Sequence, residues 1–166
     1  MACHYLILRR MRGVRILASL VLLTVQGSVL GGFDEGVAAY DSGDYATALK
    51  EFRPLAEQGE ASAQGSLGVM YAKGQGIPQD YKEAVKWYRK AAEQGDASAQ
   101  NNLGKMYYDG KGVPPNYLQA HMWFNLAGAA GNDEAVKRRD MVAKKMTPAQ
   151  IVEAQRLARE WMQKHP

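Results

Sequence analysis

Catalysis or metal binding needs acid, base, nucleophile or ligand side chains that converge, so the first residues to weigh are His121, Cys3, the carboxylates and the glycine-rich turns. His121 is the only histidine between Glu60 and Gly131, and Cys3 is the only cysteine in 166 residues. A zinc site takes several Cys, His or carboxylate ligands, and a hydrolytic site sets a nucleophile beside its base. One imidazole without such neighbours reads as a packed or surface histidine. Glu83, Glu93 and Asp109 are explained as helix caps and solvated surface. Gly74-Gln75-Gly76 and Gly110-Lys111-Gly112 share the composition of phosphate loops. No strand precedes them and no Lys-Ser/Thr pair follows, so they are turns. The sequence therefore points to no catalytic residue, no metal and no cofactor.

What must be positioned is instead a scaffold. The segment Asp96 to Gly131 repeats Glu60 to Gly95 at 16 of 36 positions without a gap. A fixed period of this length marks an array of supersecondary units. The repeated residues are alanines, glycines and aromatics, the vocabulary of helix packing. In the first half of each unit, Ala63, Leu67, Met70 and Tyr71 recur at three- and four-residue steps and define a helix A. Gly74 ends it, and Gly76 and Pro78 keep the loop from continuing as helix. Asp80, with Glu83 three residues on, reads as a capping box for a helix B carrying Tyr81, Ala84, Trp87, Tyr88 and Ala91; Asn116 and Gln119 stand one period later. Gly68, Gly104, Ala84 and Ala120 let helix axes approach, with Trp87 and Trp123 filling the space beside them.

The string A-x-A-Q-x-x-L-G-x-M-Y-x-x-G-x-G-[IV]-P-x-[DN]-Y-x-x-A-x-x-W-[YF], read at Ala61 to Tyr88 and again at Ala97 to Phe124, resembles the Sel-1-like repeat, a relative of the tetratricopeptide repeat. The resemblance implies an all-α fold: a right-handed α-α solenoid of about three helical hairpins with a C-terminal capping pair. It also implies a noncatalytic adaptor for another protein or peptide. The alternative is an envelope hydrolase or a regulator of cell-wall enzymes. The family's cysteine-rich secreted branch is not matched, because nothing after Cys3 can form a disulfide.

Residues 1–32 stand apart. Arg9, Arg10, Arg12 and Arg15 precede the uncharged run Ile16 to Val25, and small residues follow at Gly27, Ser28, Gly31 and Gly32. This is the layout of a secretory signal, with Met1 or Met11 as its start. Val14 to Leu30, interrupted only by Arg15 near its start, also reaches the low end of a membrane-spanning length, which leaves an uncleaved anchor open. The expected location is periplasmic or secreted, or membrane-anchored and facing outside the cytoplasm. Without the four arginines the chain holds 17 bases and 17 acids. That balance offers no basic footprint for nucleic acid.

Residues 33–59 read as a degenerate first unit, because Tyr45, Ala48 and Phe52 stand 36 residues before Tyr81, Ala84 and Tyr88. Its turn is shorter, and Pro54 predicts a kink near Arg53. Units follow at 60–95 and 96–131, and residues 132–166 form the cap, with Thr147-Pro148-Ala149-Gln150 as a helix start. From Lys137 onward there are eight bases and three acids, read as a solvated face. The candidate binding residues are those where the units differ on helix A. Gly65, Ser66, Val69 and Ala72 become Asn101, Asn102, Lys105 and Tyr108. These four are expected to touch a partner protein or peptide, with Gln64 and Gln100 bonding to its backbone, and the chain is expected to act as a monomer.

Overall fold

A computed structural model describes residues 32–165. Apart from Gly32, the expected leader lies outside them. The elements are α1 (residues 32–42), α2 (Tyr45–Glu57), α3 (Ala61–Lys73), α4 (Tyr81–Glu93), α5 (Ala97–Asp109), α6 (Tyr117–Ala129), α7 (Asp133–Ala143) and α8 (Pro148–Lys164). Among the described residues there is no strand. Each helix packs on the next as far as α7, which is the layered order of an α-α solenoid.

Local chemistry sets the helix ends. Asp80 accepts from the amides of Lys82 at 2.8 Å and Glu83 at 3.1 Å, and Asn116 accepts from Gln119 at 3.1 Å. The expected reciprocal bonds do not form there: the Glu83 side chain turns outward to Lys86 instead. At α8 both halves of the box form, with the Gln150 amide donating to Thr147 Oγ1 at 3.3 Å and the Thr147 amide to Gln150 Oε1 at 2.9 Å. Helix α2 runs through Pro54 to Glu57. Gly74 and Gly110 close α3 and α5 in the left-handed region, each amide returning to a methionine carbonyl.

Within each hairpin, a glycine on helix A faces an aromatic ring on helix B. A methyl group added at Gly68 would lie 2.7 Å from the Tyr88 ring, and one at Gly104 would lie 2.8 Å from Phe124. The ring opposite the glycine is thus the residue after the tryptophan, not Trp87 or Trp123 as the spacing suggests. The first hairpin uses the same device at a different interval: Gly36 meets Phe52 at 2.6 Å, 16 residues on rather than 20, because its turn is shorter. Between hairpins, the second loop glycine abuts the preceding helix B. A Cβ at Gly76 would sit 2.7 Å from the Tyr45 carbonyl oxygen, and one at Gly112 would sit 2.2 Å from that of Tyr81. With φ of 70° and 72°, both positions also need glycine for conformation.

The C-terminal pair closes the array unevenly. Helix α7 packs on α6 as a further helix A would, and Gly128 lets Val136 approach closely. Helix α8 also packs on α6, returning over the previous hairpin rather than completing a new one with α7. Leu157, Ala158 and Trp161 join the core formed by α4, α5 and α6, and Trp161 meets Trp123 edge-on at 6.2 Å.

Gly104→Ala separates steric approach from helix propensity. Alanine would favour an open helix by about 1 kcal/mol, but overpacking costs about 1–3 kcal/mol. The expected outcome in urea unfolding is a net loss that shrinks when Phe124 is also changed to Leu. An equal loss in both backgrounds would refute the ring contact as its cause.

Candidate functional site

Helices α1, α3 and α5 form the inner side of the array, since α3 touches α5 and α5 touches α7 across the hairpins. Their facing side chains bound a groove in three connected parts. At one end Val37, Tyr40, Phe52, Ser66 and Val69 make an apolar pocket of about 210 Å³. Ser66 and Val69 continue into a shallow middle section beside Gly65, Asp96, Ser98 and Asn102. Asn102 and Val69 then lead into a cavity of about 330 Å³, bounded by Tyr81, Tyr88, Lys73, Lys105 and Lys111.

Three lysines therefore border this part of the groove. Lys73 donates to the Tyr40 hydroxyl at 3.1 Å. Lys111 lies 4.0 Å from Asp109 and 5.4 Å from the centre of the Tyr81 ring. Among the described residues no carboxylate pairs with Lys73 or Lys105. Burial pushes the Tyr88 hydroxyl well above its usual titration range, so it stays a neutral hydrogen-bonding group. Such a cavity favours an anionic group, and the pocket that adjoins it through Val69 and the Lys73–Tyr40 bond favours an apolar side chain.

The six residues chosen from the sequence separate into three groups. Asn102 and Lys105 line the groove. Asn101 is half-buried, and its Oδ1 lacks a partner among the described residues. Tyr108 packs on Tyr117 at 5.6 Å, with the Lys145 ammonium 5.0 Å from its ring centre. The Tyr108 hydroxyl raises the Lys145 ammonium above the ordinary lysine range. Gln64 and Gln100 are buried, and each donates its side-chain amide at 3.1 Å to a carbonyl of the preceding helix, Ala56 and Ala92 respectively. Those donated N–H groups hold hairpin to hairpin, and neither glutamine lines the groove, where contact with a partner's backbone was expected of them. Lys73, Lys111, Val37 and Tyr40 were missed. Lys73 and Lys111 did carry a signal, since their counterparts are Asp109 and Gln75.

His121 lies away from the groove, buried on α6 with Nδ1 unpartnered among the described residues. Among the described residues no three His, Cys, Asp or Glu side chains gather as a metal site would require. No helix among them is long and apolar enough to cross a membrane.

Comparison with known proteins fits this geometry. The Sel1 repeat family matches residues 61–96 and 97–132. These two units are Sel1 repeats. A protective antigen present in uropathogenic Escherichia coli strains, displaying an SLR fold, is 33% identical with a TM-score of 0.80. That match covers 86% of this chain and 31% of the antigen. A Sel1 repeat protein from Oxalobacter formigenes is 28% identical with a TM-score of 0.65, over 78% of this chain and 55% of its own. The chain thus spans about a third and about half the length of these two relatives. No curated protein matches it. Sel1 repeats generally serve as protein-interaction scaffolds.

His121 gives the fold a pH dependence with a defined sign. Burial lowers its pKa, Arg139 lowers it further, and Asp140 opposes. The unfolded chain therefore takes up a proton before the folded one does. Its contribution is fully present above the ordinary histidine value of about 6.5 and is lost as pH falls through the window below it, at no more than about 1.4 kcal/mol per pH unit. In His121→Val, which installs the counterpart Val85, urea midpoints measured between pH 7 and pH 5 should fall less than in the parent. Parallel curves would assign the acid loss elsewhere.

Proposed function

We propose that this chain is a noncatalytic scaffold of the cell envelope that holds an extended, acidic segment of a partner protein in the groove along α1, α3 and α5. The observation that carries this reading is the convergence of Lys73, Lys105 and Lys111 on one cavity continuous with an apolar pocket at Tyr40 and Val37. A carboxylate placed there gains charge-assisted hydrogen bonds, each worth about 1.5–3 kcal/mol when desolvated. Asn102 is placed to bond the segment's backbone, while Asn101 and Tyr108 extend the surface toward α7. An apolar residue of the segment, next to its carboxylate, would fill the adjoining pocket at Tyr40 and Val37.

The envelope location rests on the basic and apolar layout of residues 1–32, by cleaved export or by an uncleaved anchor. The similar E. coli protein is a protective antigen, and that supports an exported location. A hydrolase reading would need a base aligned on a nucleophile. His121 is buried, and no described side chain bonds its Nδ1.

Selection from a random displayed peptide library should return sequences rich in Asp and Glu beside an aromatic or aliphatic residue. Lys73→Gln with Lys105→Gln should weaken the selected peptides at least about tenfold and flatten their salt dependence. Reverting helix A with N101G, N102S, K105V and Y108A should weaken them too. Selection of neutral or basic peptides, or unchanged affinity in the lysine variant, would sink the acidic-segment reading.

A further inference from the structure

A second cavity lies on the opposite end of the hairpins from the lysines, between the α4–α5 turn and the C-terminal ends of α6 and α8. It has a volume of about 670 Å³, within the range of ligand sites. Leu126, Ala129, Trp161 and Met162 form its apolar wall, and Gln100 and Ala130 also line it. The cavity exists because α8 returns over α6.

The period of the repeat shows what chemistry this place calls for. In the first Sel1 unit, Gln64 donates to the Ala56 carbonyl, and its Oε1 accepts the side-chain amide of Gln94 at 2.8 Å. In the second unit Gln100 makes the same donation, to Ala92, which fixes its amide so that Oε1 is the remaining acceptor. The residue one period after Gln94 is Ala130. Gln100 is 2% exposed, and its Oε1 has no hydrogen-bond partner among the described residues. An acceptor buried in this state costs stability, and a matching donor would recover it. The acceptor is covered in this structure, so an entering group has to displace a neighbour; exposed Met162 borders the site with an unbranched side chain that adapts at low cost.

We propose that this cavity binds the side-chain carboxamide of a glutamine or asparagine presented by a polypeptide, its N–H taking the place that Gln94 holds in the first unit. A carboxylate is disfavoured, because the inner acceptor and Glu93 at the rim both repel it. An ammonium would be held at the rim by Glu93, but carrying its charge inward past Leu126 and Trp161 to one neutral acceptor costs more in desolvation than that acceptor returns. A carboxamide supplies the donor without a charge, and its methylene stem lies against Trp161 and Leu126. The site is separate from the groove and does not depend on the reading of Lys73 and Lys105.

The experiment titrates N-acetyl-glutamine methylamide into isotopically labelled protein and follows the Gln100 side-chain amide and the Trp161 indole by NMR. Both signals should shift and saturate in roughly the millimolar range, as a ligand of this size allows. The same compound dimethylated on its side-chain nitrogen, with no N–H to give, should bind at least about tenfold more weakly. Ala130→Gln restores the residue found one period earlier and should abolish binding while leaving the backbone spectrum folded. Lys73→Gln with Lys105→Gln should bind the amide as the parent does. Absence of saturable shifts in the parent, equal binding of the dimethylated compound, or undiminished binding by Ala130→Gln would each overturn the proposal.

Discussion

The contact on which the rest depends is a glycine on one helix against an aromatic ring on the next. Gly36 with Phe52, Gly68 with Tyr88 and Gly104 with Phe124 occur once in each of three successive hairpins. At each, the missing side chain leaves the ring in the place a Cβ would need. Glycine is costly inside a helix, by roughly 1 kcal/mol relative to alanine. Its use at these positions is offset by burial of a large ring, worth about 1.5–3 kcal/mol for a Phe. Axis separation follows from that choice, and the inner line of A helices follows from the separation.

Stacking one hairpin on another relies on two further contacts that mix backbone and side chain. The loop glycines Gly76 and Gly112 lie against the carbonyls of Tyr45 and Tyr81, so each loop seats on the helix behind it. At the other end, Gln64 and Gln100 reach back to Ala56 and Ala92 and satisfy carbonyls at the ends of α2 and α4. These bonds pair the donated amides and also fix register between units. The lysine end of the groove sits near the loops, and the amide-lined cavity sits near the glutamines. The two ends of the hairpins therefore differ in charge and in chemistry.

Much of the groove follows from these constraints acting on residues that differ between units. Val69 is common to all three parts of it, while Lys105 one period later brings a charge to the same helical position. Tyr108 instead turns to the flank, where Tyr117 and Lys145 engage it. Residues on one helix thus separate into groove and flank by angle, a distinction that substitution between units does not carry.

The sequence by itself determined the helical hairpins, their limits and their repeat. Those features depend on local chemistry: caps at Asp80 and Thr147, left-handed glycines at Gly74 and Gly110, and apolar residues at helical spacing. It also marked Asn102 and Lys105 as surface that varies over a fixed scaffold. Only the tertiary structure decided that Gln64 and Gln100 face inward, that Gly36 repeats the packing of Gly68 at a shorter interval, and that Lys73 and Lys111 join Lys105. It alone placed α8 across α6, where Leu157, Ala158 and Trp161 join the core and Trp161 meets Trp123. Spacing along a chain sets which side chains share a helix face, but which face meets which neighbour is decided by packing between segments far apart in sequence.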